Sequence, residues 1–264
     1  MATLVTFHAH PDDECILTGG VMRKAADEGH RVVLVVATRG ELGEVPEGFL
    51  AEGEQLWERR VHEVRAAGEA LGVARVEFLG YRDSGMMGEA TNDEPGTFWT
   101  APVEEAAARL AEILREESAD VVTVYDDHGN YGHPDHIQVH RVGMRAAELA
   151  GTPRVYQATT NRDQLRRGLR QAVQDDLIPR EALPDPDAAD PMGTPESEIT
   201  AAVDVTPYLS AKRAAMRAHP SQISEDTFFL TMPEEGFRRM FGTEWFLRPG
   251  HGPGITEKDL MAGL

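Results

Sequence analysis

The sequence contains a single cysteine, Cys15, among 264 residues. One cysteine cannot form an intramolecular disulfide framework, so nothing points to an oxidising compartment. No apolar run is longer than a strand, and no basic stretch followed by a signal-like core opens the chain. We therefore expect a cytoplasmic protein without a membrane span.

Positive charge is also scarce. The chain has 26 lysine and arginine residues against 45 aspartate and glutamate residues, which gives a formal net charge of −19. At that balance the protein repels phosphate backbones and anionic lipid surfaces. We expect neither nucleic acid nor membrane as a partner. A small-molecule substrate fits better, and a homo-oligomer is compatible with the composition.

Short apolar segments alternate with amphipathic segments through the first 160 residues. The apolar segments predict buried strands at residues 3–7, 31–38, 75–79, 120–125 and 154–158. The amphipathic segments predict helices at residues 14–26, 55–71, 102–117 and 136–150. This alternation predicts an α/β fold with a doubly wound, mostly parallel, Rossmann-like sheet and helices on both faces.

We treat residues 1–264 as one domain, with a core at 1–160 and a smaller α+β extension at 161–264. In the extension the sequence predicts a basic helix at 161–173, a proline-rich acidic loop or lid at 180–198, an edge strand at 198–205, helices at 208–219 and 234–241, and an apolar segment at 245–247. Residues 80–101 show no period and are predicted to form a wall of the site.

Two histidine-carboxylate clusters each follow a predicted strand. Residues 8–14 come directly after the first strand, and residues 133–136 come soon after the fourth. In the common order of a doubly wound sheet these two strands are neighbours, at the point where the winding direction reverses and ligands bind. We therefore predict that the two clusters meet in one crevice.

Two imidazoles and one carboxylate form a ligand set that zinc accepts while keeping an open position for water. We assign His10, Asp13 and His136 as the ligands. Asp12 is then placed to take a proton from the zinc-activated water as the general base. A helix cap would explain one carboxylate in this turn, but the turn has three.

The second cluster offers further catalytic groups. His133 could stay free of metal and donate to a developing oxyanion as an imidazolium, and Asp135 could hold and charge that ring. Tyr131 and Arg60 are candidates to face the substrate, although such residues more often serve packing or the surface.

At this point the motifs are recognisable. Residues 9–14 (Ala-His-Pro-Asp-Asp-Glu) and 132–136 (Gly-His-Pro-Asp-His) resemble the two signature motifs of the PIG-L or LmbE-like metal-dependent de-N-acetylases. Residues 131–136 and 82–86 (Arg-Asp-Ser-Gly-Met) are most similar to the mycothiol-pathway deacetylases and conjugate amidases of that superfamily. The similarity covers roughly the first 160 residues.

The resemblance implies zinc as the metal, with iron(II) as an alternative, and it implies roles for nine residues. These are metal binding by His10, Asp13 and His136, general-base catalysis by Asp12, and oxyanion stabilisation or acid catalysis by His133, tuned by Asp135. The resemblance also implies substrate binding by Arg60 at the sugar ring, by Asp83 as an acid and by Tyr131 near the carbonyl.

We therefore expect removal of an N-acetyl group from a glucosamine-containing small molecule, such as N-acetylglucosaminyl-inositol. One alternative is an amidase that acts on a mycothiol S-conjugate or another N-acyl amide. A phosphoesterase would need a second metal about 4 Å away, for which no spare ligand set is evident. A non-catalytic binding module would need neither Asp12 nor His133.

Overall fold

The computed structural model describes residues 1–174 and 192–264. The strands of the described part form one seven-stranded sheet. They are β1 (Thr3–His8), β2 (Arg31–Val36), β3 (Arg75–Phe78), β4 (Val121–Tyr125), β5 (Arg154–Thr159), β6 (Ala201–Asp204) and β7 (Thr243–Leu247). Residues 180–191 of the predicted acidic segment lie outside the described residues.

The strand order is β3-β2-β1-β4-β5-β7-β6. Pairing is parallel from β3 to β5, and β7 runs antiparallel to both β5 and β6. Strand β1 pairs with β4 in the register Leu4 to Val121. The predicted neighbourhood of the first and fourth strands is confirmed, so the two clusters emerge at the same edge of the sheet.

The helices lie between the strands. They are α1 (Asp13–Leu17), α2 (Gly19–Asp27), α3 (Leu56–Leu71), α4 (Val103–Glu116), α5 (Gly129–Gly132), α6 (Pro134–Ala150), α7 (Arg162–Gln174), α8 (Leu209–Arg217), α9 (Phe228–Thr231) and α10 (Glu234–Phe241). Within the described ranges, none of these helices is long and apolar enough to cross a membrane.

Two apolar cores lie on opposite faces of the sheet. In β2, Val33 and Val35 pack with side chains of α4 and α6, whereas Leu34 packs with side chains of α2, α3 and α8. Both faces are buried, which explains why the strands read as continuous apolar runs rather than as alternating patterns. The predicted fold class is therefore confirmed.

The first predicted helix is wrong as a single element, because the chain breaks it at Thr18. This residue leaves the helical region, with φ −134° and ψ 6°, and its hydroxyl lies 2.8 Å from Nε2 of His8. The second half, α2, starts anew with the carboxylate of Glu244 on the backbone N–H groups of Gly20 and Val21. Long-range hydrogen bonds have overridden the local helical pattern.

The C-terminal region extends the same sheet. The predicted edge strand is present as β6 at one end of the sheet. The apolar segment near Trp245, whose topology could not be predicted, is β7, and it lies between β5 and β6. Helix α10 spans Glu234–Phe241, as predicted.

Candidate active site and metal centre

The turn after β1 places Asp12 in an unusual backbone conformation. Its φ of 112° lies where non-glycine residues are strained, at a cost of about 1 to 3 kcal/mol. Its N–H donates to Oε2 of Glu14 at 2.9 Å, and its carbonyl accepts the N–H of Cys15 at 3.2 Å. Asp12 is the N-cap residue of α1, but its side chain makes no capping bond. The carboxylate is therefore available for chemistry.

Asp13 lies between the two expected histidine ligands. Its Oδ2 is 3.4 Å from Nδ1 of His10, and its Oδ1 is 3.4 Å from Nε2 of His136. Ligands bonded to tetrahedral zinc at about 2.0 Å lie roughly 3.3 Å from one another. These separations match that spacing, so Asp13 lies at ligand spacing from each histidine, with one carboxylate oxygen facing each ring.

The other nitrogen of His10 faces two carboxylates. Nε2 lies 3.2 Å from Oδ2 of Asp135 and 3.5 Å from Oδ1 of Asp83. Although burial raises it, the neighbouring His10 and the N–H of Gly85 hold the pKa of Asp83 well below its usual range. A carboxylate behind the second nitrogen is the usual partner of a metal-bound histidine, because it fixes the ring and makes it more basic.

Asp135 serves His133 through its backbone rather than through its carboxylate. Its N–H donates to Nδ1 of His133 at 3.1 Å, which makes His133 the N-cap of α6 with Pro134 in the first turn. The Asp135 carboxylate instead accepts the N–H of Ser84 at 3.0 Å and the Ser84 hydroxyl. The Asp135 carboxylate therefore contacts His10, and it acts on His133 through its charge, which raises the pKa of that ring, rather than through a hydrogen bond.

His133 favours its neutral form in this environment. Burial is the largest cause that lowers its pKa to about 4, and the nearby His10 and His136 act in the same direction, whereas the carboxylates of Asp135 and Asp83 oppose them. Because Nδ1 accepts a hydrogen bond, the proton of the neutral ring is on Nε2. The lowered pKa disfavours the expected imidazolium, and the neutral imidazole can still donate one hydrogen bond from Nε2.

Tyr131 lies at the mouth of the site. It is 41% exposed, and its hydroxyl is 3.4 Å from Nε2 of His136. Its ring meets His133 and His136 edge to face, with centroids 6.2 Å and 4.8 Å away. Because the residue is exposed beside these two histidines, its phenol can reach a substrate.

Arg60 lies behind the turn rather than in the crevice. Only 3% of the residue is exposed. Its Nη1 donates to the carbonyl of Gly40 at 2.8 Å, and its Nη2 donates to the carbonyl of Pro11 and lies 3.3 Å from Oδ1 of Asp12. These contacts indicate that Arg60 positions Asp12. Contact with a sugar stays a prediction.

Three functional neighbours escaped the sequence analysis. The hydroxyl of Tyr125 bonds to Nδ1 of His8 at 2.8 Å and accepts the N–H of Ala9. Tyr125 and His8 therefore support the turn that follows β1. Ser84 donates its backbone N–H to the carboxylate of Asp135. His219, which shows no companion in the sequence, pairs with Glu14 at 2.6 Å. Ser84 alone had a signal, because it follows Asp83 in the predicted wall.

The donor set fits a metal. One nitrogen each of His10, His133 and His136 lies within 4.8 Å of the others, and all three residues are buried. Nδ1 of His136 is buried and has no hydrogen-bond partner among the residues that the structure describes. Ring nitrogens this close together can hold a cation, and His10 and His136 also have the carboxylate of Asp13 between them.

The sequence was compared with known families and proteins. Residues 5–147 match the family described as PIG-L, GlcNAc-PI de-N-acetylase. A protein of Thermomonospora curvata named 1D-myo-inositol 2-acetamido-2-deoxy-alpha-D-glucopyranoside deacetylase is 43% identical, over 97% of this chain and 95% of its own. A protein of the same name from Geodermatophilus obscurus is 42% identical, over 99% and 97%.

A solved structure shares the fold. The N,N'-diacetylchitobiose deacetylase from Pyrococcus horikoshii, in complex with its inhibitor, superposes with a TM-score of 0.53 at 25% identity. The match covers 89% of this chain and 73% of that protein. The similarity thus reaches well beyond the two motifs.

Proposed function

Because this chain belongs to the PIG-L family of de-N-acetylases, we propose that it is a hydrolase that removes the acetyl group from N-acetylglucosaminyl-inositol. Water and the acetamide give acetate and a free amine on the sugar. The relatives named as deacetylases of this compound match nearly the whole chain. The observation that carries the proposal is the meeting of His10, Asp13 and His136 beside the uncapped carboxylate of Asp12.

We propose that His10, Asp13 and His136 hold zinc, with iron(II) as the alternative. The 3.4 Å separations of Asp13 from both histidines support this ligand set. A divalent ion at this place supplies Lewis acidity and lowers the pKa of water to about 7. Asp135 and Asp83 keep the ring of His10 in place from behind.

Asp12 is the proposed general base. Burial raises the pKa of its carboxyl to about 6, although Arg60 opposes the shift. A base with a pKa near the working pH accepts a proton and can also return it. Asp12 therefore takes a proton from the attacking water and passes it to the leaving nitrogen, because the Nε2–H of a neutral His133 is too weak an acid to transfer its proton.

His133 is the proposed oxyanion donor. Its Nε2–H is the free polar group of the ring, and the Asp135 N–H fixes the ring orientation. A neutral imidazole held in place in a water-poor site stabilises a developing negative charge without first reorganising. The carboxylate of Asp135 assists indirectly, through His10.

The sugar is proposed to bind between Asp83 and Tyr131. Asp83 is ionised, and its two oxygens lie among the N–H groups of Leu42 and Gly85 beside His10. An ionised carboxylate accepts hydrogen bonds from sugar hydroxyls. The substrate is a small polar molecule, and the absence of a disulfide-forming pair of cysteines supports our proposal of a cytoplasmic enzyme.

The first experiment is to incubate the zinc-loaded protein with N-acetylglucosaminyl-inositol, with simple N-acetylglucosamine compounds and with a thiol-conjugate amide, and to measure free primary amine. We expect release from the inositol compound that disappears in Asp12→Ala. Release from the thiol-conjugate amide alone would replace the proposal with the amidase, and silence across all substrates with one zinc bound per chain would refute it.

A further inference from the structure

Glu14 links the backbone of Asp12 to a histidine 205 residues away in sequence. Its Oε2 accepts the Asp12 N–H at 2.9 Å, and its Oε1 lies 2.6 Å from Nε2 of His219. Both side chains are fully buried. We propose that His219 and Glu14 form a clamp that positions Asp12 for proton transfer. This proposal rests on the function of Asp12 proposed above.

The clamp acts on Asp12, whose backbone conformation is strained. Asp12 holds a φ of 112°, a conformation that a non-glycine residue keeps only when its surroundings fix it. Glu14 is the acceptor of its N–H, and Arg60 holds its carboxylate from the other side. Loss of the Glu14 contact frees the turn to relax, which moves the carboxylate of Asp12 away from the site.

Among the described residues, the ring of His219 makes one hydrogen bond, to Glu14. Its Nε2 bonds to Glu14, and its Nδ1 is buried with no partner in the described part of the chain. The residue lies just after α8, where the N–H of Ile223 donates to its carbonyl at 2.7 Å. Ser221 ties the same loop to Glu63 of α3 through its N–H and its hydroxyl. The ring therefore reaches Glu14 from a rigid support.

The group is a hydrogen-bonded clamp rather than a second metal site. Glu14, Cys15 and His219 have ligand atoms close enough to suggest an ion. However, ligands of one zinc ion lie roughly 3.3 Å apart, and the 2.6 Å between Glu14 and His219 leaves room only for a shared proton. The thiol of Cys15 also donates to the Asp12 carbonyl at 2.9 Å.

Two near-isosteric variants test the clamp. His219→Gln places an amide nitrogen near the position of Nε2 and can donate to Glu14, whereas His219→Asn places it near the position of Nδ1 and cannot. Misplacement of a catalytic group by about 1 Å can cost about 10² in rate. We therefore expect His219→Asn to lower kcat at least about tenfold, with KM and bound metal unchanged, and His219→Gln to keep kcat close to that of the wild type.

Ser221→Ala is the matched control, because it removes a buried hydrogen bond from the same loop without touching Glu14. It should lower the melting temperature and keep kcat. Equal kcat in His219→Asn and His219→Gln overturns the clamp. Loss of metal in His219→Asn, or a loss of kcat in Ser221→Ala as large as in His219→Asn, also overturns it.

Crystal structures of both His219 variants separate this proposal from the proposed function. If the wild type releases no amine, the function fails, and the backbone of Asp12 decides the clamp alone. We expect φ to remain near its wild-type value in His219→Gln and to leave the left-handed region in His219→Asn. An unchanged Asp12 in both variants overturns the clamp whatever the substrate.

Discussion

Nη2 of Arg60 lies 3.3 Å from Oδ1 of Asp12, and the arginine side chain is 4% exposed. The guanidinium also donates to two backbone carbonyls, one on each side of the site. A buried cation with these partners holds the turn after β1 against the loop after β2. The proposed general base is thus fixed by its neighbours on two sides, by Arg60 and by Glu14.

Removal of Arg60 should therefore cost stability and turnover together. Arg60→Met leaves the partly exposed Asp12 carboxylate and two buried carbonyls unpaired, for which we expect a loss of about 1 to 3 kcal/mol in urea unfolding. Arg59→Met is the control on the same helix, since its exposed pair with Glu54 is worth at most about 1 kcal/mol. If Arg60→Met raises KM with kcat intact, Arg60 binds the sugar rather than positioning the base.

Asp12→Asn should keep the metal and lose the reaction. The amide cannot accept the proton of water, and loss of a general base lowers the rate by about 10² to 10⁴. The ligands His10, Asp13 and His136 are untouched, so elemental analysis should still find one ion per chain. Amine release measured on the same sample at wild-type levels would disprove the assignment of Asp12.

Two histidines of α6 test which residues bind the metal. His136→Ala should lower the affinity for zinc, whereas His140→Ala, one turn later and bonded to the carbonyl of Tyr125 at 2.9 Å, should keep it. A chelator should lower the melting temperature of the wild type, because an ion at 100 times its Kd stabilises a protein by about 2.7 kcal/mol. Equal zinc binding by the two variants would remove His136 from the ligand set.

The sequence predicted the core of the site because its signals are local. Apolar runs indicated the strands, and strand alternation placed β1 beside β4, so His10 and His136 were expected to meet. Three other features depend on which side chains pack together. They are the carboxylates that contact Nε2 of His10, the lowered pKa of His133 and the burial of Arg60. No pattern within a motif encodes those contacts.

His219 shows where sequence reasoning ends. It has no carboxylate or histidine near it in the chain, yet it contacts Glu14 at the first turn of α1. The contact exists because α8 packs on α1, α2 and α3, and helix packing of this kind follows from the whole fold. Likewise, the break at Thr18 depends on Glu244, a residue of the last strand.

The carboxylate of Glu244 forms a buried ion pair with Lys212. Glu244 bonds to Lys212 and to the first N–H groups of α2, and the lysine and glutamate side chains are 1% and 3% exposed. Glu244→Gln leaves the Lys212 ammonium buried without its counter-charge, so the free energy of unfolding should fall by about 3 to 5 kcal/mol. Because Lys212→Met removes the charge that would be stranded, the double variant should recover part of that loss. Urea unfolding of the two single variants and the double variant measures the coupling. Purely additive losses would show that the two residues act independently and that the start of α2 does not depend on their ion pair.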